Sequence, residues 1–128
     1  MARILVIEDD FEVRTVIRRM IENEGHEVIE APDGEVGTRI YREQSADLII
    51  TDILMPEKEG IETIIELRRE FPEVKIIAIS GGGKVGSSDY LTLAKKLGAT
   101  TTLPKPFSGK DLIATVQKHL TDSQEPPV

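Results

Sequence analysis

A chain of 128 residues has room for one domain with a buried core, and having no cysteine it can form neither a disulfide nor a thiolate metal site. Its composition, 39% hydrophobic and 30% charged, is that of a globular protein, and no apolar run is long enough to cross a bilayer, so a cytoplasmic location without a membrane partner is expected. A net charge of −7 argues against direct nucleic-acid binding, which needs clustered Lys and Arg.

Short runs rich in Ile, Val and Leu alternate with amphipathic segments, the pattern of successive βαβ units. The N-terminal Met1-Ala2-Arg3 leads directly into a first strand, Arg3 to Glu8, without the long apolar segment of a secretory signal. A helix follows, with Val13, Val16, Ile17, Met20 and Ile21 striping one face and Gly25 ending it. The second strand is expected from His26 to Ala31, and Val36, Ile40 and Tyr41 mark a helix after the turn pair Asp33-Gly34. The third strand, Asp47 to Asp52, precedes a helix carrying Ile61, Ile64 and Ile65. That helix must stop before Phe71-Pro72, because proline disfavours a helical conformation in the residue before it. Val74 to Ser80 reads as the fourth strand, followed by a helix with Leu91, Ala94 and Leu97 that Gly98 terminates. Thr100 to Leu103 is the fifth strand. The last helix carries Leu112, Ile113, Val116 and Leu120, with Ser108 as its N-cap and Asp111 placed as in a capping box. Residues 1–121 thus make one domain, and the polar, proline-containing tail 122–128 is expected to be flexible.

This alternation is too short for a closed eight-fold barrel, which needs about 250 residues. The expected fold is therefore α/β, a doubly wound open parallel sheet whose ligands bind beyond the carboxyl ends of the strands. Those ends carry Glu8-Asp9-Asp10, Asp52, Ser80 and, just past the fifth strand, Lys105. Crowded carboxylates repel, so either one stays protonated or a cation shares them. A hard divalent ion such as Mg²⁺ suits carboxylates, waters and phosphate oxygens. Lysine provides a point charge for a phosphoryl oxygen, and the Ser80 hydroxyl can donate to the same group. Together these groups describe a phosphoryl-transfer site. Singly, each has an ordinary structural explanation: acids after a strand cap the next helix, and Lys-Pro is a common turn. Their joint, ordered occurrence carries the signal. The glycine run Gly81-Gly82-Gly83-Lys84-Val85-Gly86 formally satisfies a dinucleotide fingerprint, but it follows the fourth strand and has no acid about 20 residues on, so it is read as a loop.

In these residues the chain resembles the response-regulator receiver family. The matching pieces are Ile4-Leu5-Val6-Ile7-Glu8-Asp9-Asp10, Asp52-Ile53-Leu54-Met55-Pro56, Ser80 and Lys105-Pro106-Phe107, in family order over about residues 3 to 120. The resemblance implies a flavodoxin-like (βα)5 sheet with strand order 2-1-3-4-5. It implies Asp52 as phosphoacceptor, and Asp9, Asp52 and the Leu54 backbone carbonyl as ligands of Mg²⁺ or Mn²⁺, with Glu8 acting through water. Ser80 and Lys105 would hold the phosphoryl group. Asp10, by alignment on Arg14 and on the separation from Asp52, falls outside the acidic pair and reads as a helix cap. The implied partners are a histidine kinase or a histidine phosphotransfer protein as donor, and a downstream protein target. The chain would catalyse its own phosphorylation and dephosphorylation rather than act as an enzyme on others, as a stand-alone signalling domain. The Lys105-Pro106 bond is implied to be cis.

Two departures from the family pattern bear on output. Thr102 occupies the position where relatives commonly carry a switching aromatic, and the glycine loop lengthens the Ser80 to Lys105 interval. The expected output is the loop after strand four together with helix four and strand five. Leu54 and Gly82, at positions that the resemblance associates with access of hydrolytic water, offer no polar group to orient it, so a long-lived phosphoryl state is expected. His26 and His119 are expected at the surface or at helix ends, and Met20 and Met55 as packing residues.

Overall fold

The computed structural model describes residues 2–53, 60–80, 87–104 and 107–124, with residues 80, 87–91 and 121–124 described by backbone only. Among the described residues five strands alternate with five helices: β1 (Arg3–Ile7), α1 (Phe11–Glu22), β2 (Glu27–Ala31), α2 (Gly34–Glu43), β3 (Leu48–Asp52), α3 (Gly60–Glu70), β4 (Ile76–Ser80), α4 (Ser87–Leu97), β5 (Thr101–Pro104) and α5 (Gly109–Gln124). The strands form one sheet in the order β2-β1-β3-β4-β5, every neighbouring pair parallel. This is the doubly wound arrangement and strand order that the sequence implies. Among the described residues no helix is long and apolar enough to cross a membrane.

Strand alternation divides the core in two. Leu5, Ile7, Ile49, Ile53, Ile76 and Ala78 face one side and pack with Tyr41, Ile64, Leu67 and Ala94 from α2, α3 and α4. Ile4, Val6, Leu48, Ile50, Ile77 and Ile79 face the other and pack with Ile17 and Ile21 of α1 and Leu112, Val116 and Leu120 of α5. Central strands covered on both faces explain the nearly continuous apolar runs in β1, β3 and β4.

Local chemistry sets the boundaries. Asp10, Asp33 and Ser108 each accept a hydrogen bond from a backbone N–H of the turn that follows, starting α1, α2 and α5. Gly25 and Gly98 take positive φ values, +92° and +142°, where α1 and α4 have ended. Three expectations need correction. Val16 is 50% exposed, because the inward face of α1 runs through Val13, Ile17, Met20 and Ile21, and Val16 sits a quarter-turn to the side. His119 is only 9% exposed and lies inside α5 rather than at the surface or at a helix end; its carbonyl accepts a hydrogen bond from Lys75 Nζ at 2.9 Å. Helix α5 continues to Gln124, into the segment read as a tail; residues 125–128 lie outside the described residues.

Candidate functional site

Strand order reverses between β1 and β3, whose chains lead on to opposite faces of the sheet, and in open sheets of this kind ligands bind beyond the carboxyl ends of the strands at that point. Ile7, the last residue of β1, pairs with Thr51, so the next residues, Glu8 and Asp52, lie side by side at the carboxyl edge of the sheet, Asp52 as the last residue of β3. The Glu8 N–H still donates to the Ala31 carbonyl (3.0 Å), and the Ile53 N–H to the Ile79 carbonyl (3.0 Å), so both acids are fixed to the ladder by their own or the adjacent amide. Asp9 follows and is exposed.

The outcome is one cluster: a carboxylate oxygen from each of Glu8, Asp9 and Asp52 lies within 4.8 Å of the others. Glu8 is 1% exposed and Asp52 4% exposed, whereas Asp9 faces solvent. Buried carboxylates cost much desolvation energy unless they are paired or share a cation. Three hard oxygen donors, two walled in and one open, fit a divalent ion that retains waters and takes a further oxygen from a ligand.

Asp10 plays a different part. Its carboxylate accepts from the N–H groups of Glu12 (2.9 Å) and Val13 (3.1 Å), with backbone angles of −79° and 114°, and so caps α1. Its own N–H donates to Glu8 Oε2 (3.1 Å), which ties the cap to the cluster.

Ser80 is the last residue of β4, opposite Pro104, on the strand beside the one that ends at Asp52. The Ser80 side chain, Leu54, Lys105, the Lys105-Pro106 bond and the glycine loop from Gly81 to Gly86 lie outside the described residues. Thr102 is half-buried in β5 opposite Ala78, in the place where an aromatic switch was missing from the sequence.

Two residues at the site were not singled out from sequence. Gly60 opens α3 against the end of β3, where a Cβ would collide with the Asp52 carbonyl oxygen and the Ile53 Cα. A glycine opening a helix rather than closing it was the available signal. Arg14, used only to align the acidic pair, donates from Nη1 to the Glu8 carbonyl (2.8 Å) and from Nε to Glu30 Oε1 (3.0 Å).

With this geometry in place, a family model described as the response regulator receiver domain matches residues 4–117. The chain is 33% identical over 123 residues to the transcriptional regulatory protein CpxR of Klebsiella pneumoniae, covering 96% of this chain and 51% of that protein. It therefore spans about half the length of that curated relative. Among solved structures, it resembles a response regulator receiver domain protein from Clostridium thermocellum with a TM-score of 0.88 and 32% identity, covering 97% and 98% of the two chains. NtrX from Brucella abortus superposes with a TM-score of 0.89 at 26% identity, over 96% of this chain and 27% of the other. The family match takes in Glu8, Asp9, Asp52, Ser80 and Lys105 alike, and the chain belongs to the response regulator receiver domain family.

Proposed function

We propose that this chain is a phosphoacceptor switch in two-component or phosphorelay signalling, with Asp52 as the residue modified. The observation that carries this reading is the three-carboxylate cluster at the switch point, with Asp52 held against Glu8 and Asp9. Asp9 and Asp52 are the described residues that would hold Mg²⁺ or Mn²⁺ directly, with Glu8 acting through water and the Leu54 carbonyl as a further ligand. When bound, the ion neutralises charge on the carboxylates and on the incoming phosphoryl oxygens.

The reaction follows from the chain's own groups. A carboxylate oxygen of Asp52 forms a new bond to phosphorus, and the bond from phosphorus to the donor's imidazole nitrogen breaks. The electron pair stays on that nitrogen, which takes up a proton. Burial leaves Asp52 little contact with water, which favours transfer over hydrolysis. Lys105 and Ser80 follow β5 and end β4, and their cation and hydroxyl are the groups assigned to the phosphoryl oxygens. The switch is reset when a water oxygen bonds to phosphorus and the Asp52 oxygen–phosphorus bond breaks, releasing inorganic phosphate and returning Asp52 to a carboxylate.

The donor is a phosphohistidine of a histidine kinase or a histidine phosphotransfer protein. The readout is a protein target engaged through the loop after β4, α4 and β5, in the cytoplasm. The net charge of −7 supports output through protein contacts rather than direct contact with nucleic acid. Incubation of the purified chain with acetyl phosphate and Mg²⁺, followed by intact mass measurement, tests the reading. A gain of about 80 Da, one phosphoryl group, that disappears in Asp52→Asn is expected. No gain would instead make the chain a constitutive binding module.

A further inference from the structure

The phosphoryl chemistry leaves Arg14 without a task, yet Arg14 is bonded to the backbone of the acidic pair. It stands in the first turn of α1, where its own N–H donates to the Asp10 carbonyl at 2.9 Å. Its side chain is 14% exposed and turns back toward the sheet. Nη1 donates to the Glu8 carbonyl at 2.8 Å, and Nε donates to Glu30 Oε1 at 3.0 Å.

The Glu8 carbonyl belongs to the peptide unit that joins Glu8 to Asp9. Rotation of that planar unit changes ψ of Glu8 and φ of Asp9 together, and so turns the Asp9 carboxylate relative to that of Glu8. The N–H of Glu8 is anchored to Ala31 of β2, and through Arg14 its carbonyl is anchored to Glu30, the residue before Ala31. Consecutive residues of one strand thus hold both sides of Glu8. Arg18 also lies on Glu30, with Nε 3.1 Å from Oε2, close enough for an ion pair but not aligned for a hydrogen bond.

We propose that Arg14, braced by Glu30, is a positioning residue for the divalent-cation site, holding the Glu8–Asp9 peptide so that both carboxylates face Asp52. This inference rests on the proposed function, in which those carboxylates bind Mg²⁺ or Mn²⁺. Charge alone predicts the opposite effect. Removing a cation near a metal site lowers electrostatic repulsion and should tighten metal binding, whereas loss of an outer hydrogen-bond partner weakens it by about 10- to 100-fold.

The test is direct Mn²⁺ binding to the purified chain, read from the free-ion paramagnetic resonance signal, with thermal midpoints in chelator reporting folding. Arg14→Met is expected to bind Mn²⁺ about 10-fold or more weakly. Arg14→Lys, which keeps the charge but cannot fork to both oxygens, should also bind more weakly. Arg18→Met, which removes a neighbouring charge from Glu30 but no bond to the Glu8 carbonyl, should bind within about twofold of the parent. Equal or tighter binding by folded Arg14→Met overturns the inference, as does an equal loss in Arg18→Met. Should Arg14→Met fail to fold, parental affinity in Arg14→Lys overturns it. Absence of Mn²⁺ binding by the parent chain would overturn the proposed cation site itself and this inference with it.

Discussion

Gly60 lies against the backbone of Asp52 so closely that a single added methyl group would strike the Asp52 carbonyl oxygen and the Ile53 Cα. Neither atom can move independently, because the Ile53 N–H is tied to the Ile79 carbonyl across the sheet. Helix propensity alone favours alanine over glycine by up to about 1 kcal/mol. The collision with backbone outweighs that, so Gly60→Ala should cost about 1–3 kcal/mol of stability and lower phosphoryl uptake by Asp52. Urea denaturation and the intact-mass assay measure the two effects. A Gly60→Ala protein as stable as the parent would show that α3 can shift without disturbing the site.

Cation binding should be visible as stability, since the folded chain gathers carboxylates that the unfolded chain disperses. With Mg²⁺ at about 100 times its dissociation constant, linkage adds about 2.7 kcal/mol, a rise in Tm of roughly 8–15 °C for a domain of this size. Chelation with EDTA should reverse the rise. Asp9→Asn, which removes the solvent-facing carboxylate, should abolish most of it. A Tm indifferent to Mg²⁺ would leave the three carboxylates as an acidic cluster without a cation.

Much of this arrangement was legible in sequence because it depends on local rules. Apolar runs bounded by Gly, Pro and capping residues located every strand and helix to within a few residues, and the acids at strand ends converge once the sheet is parallel. Periodicity failed at Val16 because a broad stripe does not say which edge residue the neighbouring sheet will cover. Residue type alone failed at His119, which is buried inside α5 and whose carbonyl meets Lys75, 44 positions away, a contact no local pattern encodes. Gly60 and Arg14 were missed because their importance lies in backbone atoms outside their own helices: the glycine at the start of α3 was a signal without a visible partner, and the carbonyl that Arg14 meets leaves no mark in a sequence.

Acid should reveal a clamp between α2 and α3. Arg42 forks onto Glu70 through bonds of 2.6 and 2.8 Å, beside the edge-to-face contact of Tyr41 and Phe71 with centroids 4.8 Å apart. The hydrogen bond from Arg42, with its charge, holds the Glu70 carboxyl below its ordinary value. A carboxyl depressed in the folded state adds stability above its unfolded pKa and loses it as pH falls through the folded pKa. Glu70→Gln should therefore be less stable than the parent at about pH 7, with the gap closing toward about pH 3. The pair is exposed, so the gap is small and shrinks with salt. Urea midpoints at both pH values, with and without added NaCl, measure it; a gap that widens in acid contradicts the assignment.

Exchange of adjacent acids separates cap from ligand. Asp9 and Asp10 are neighbours of identical chemistry, yet Asp9 contributes an oxygen to the three-carboxylate cluster while Asp10 spends its carboxylate on the N–H groups of Glu12 and Val13. Asp10→Ser preserves an N-cap oxygen and should keep both stability and Mn²⁺ affinity near those of the parent. Asp10→Ala loses the cap and should cost about 1 kcal/mol in denaturation, with Mn²⁺ affinity changed only slightly. Asp9→Asn should do the reverse. It leaves the cap intact and removes a crowded negative charge, so in chelator the protein should be as stable as the parent or more so, while Mn²⁺ binding falls steeply. If Asp10→Ser weakens Mn²⁺ as much as Asp9→Asn does, the functional pair is shifted by one residue and the cap geometry of α1 is not what distinguishes the two acids.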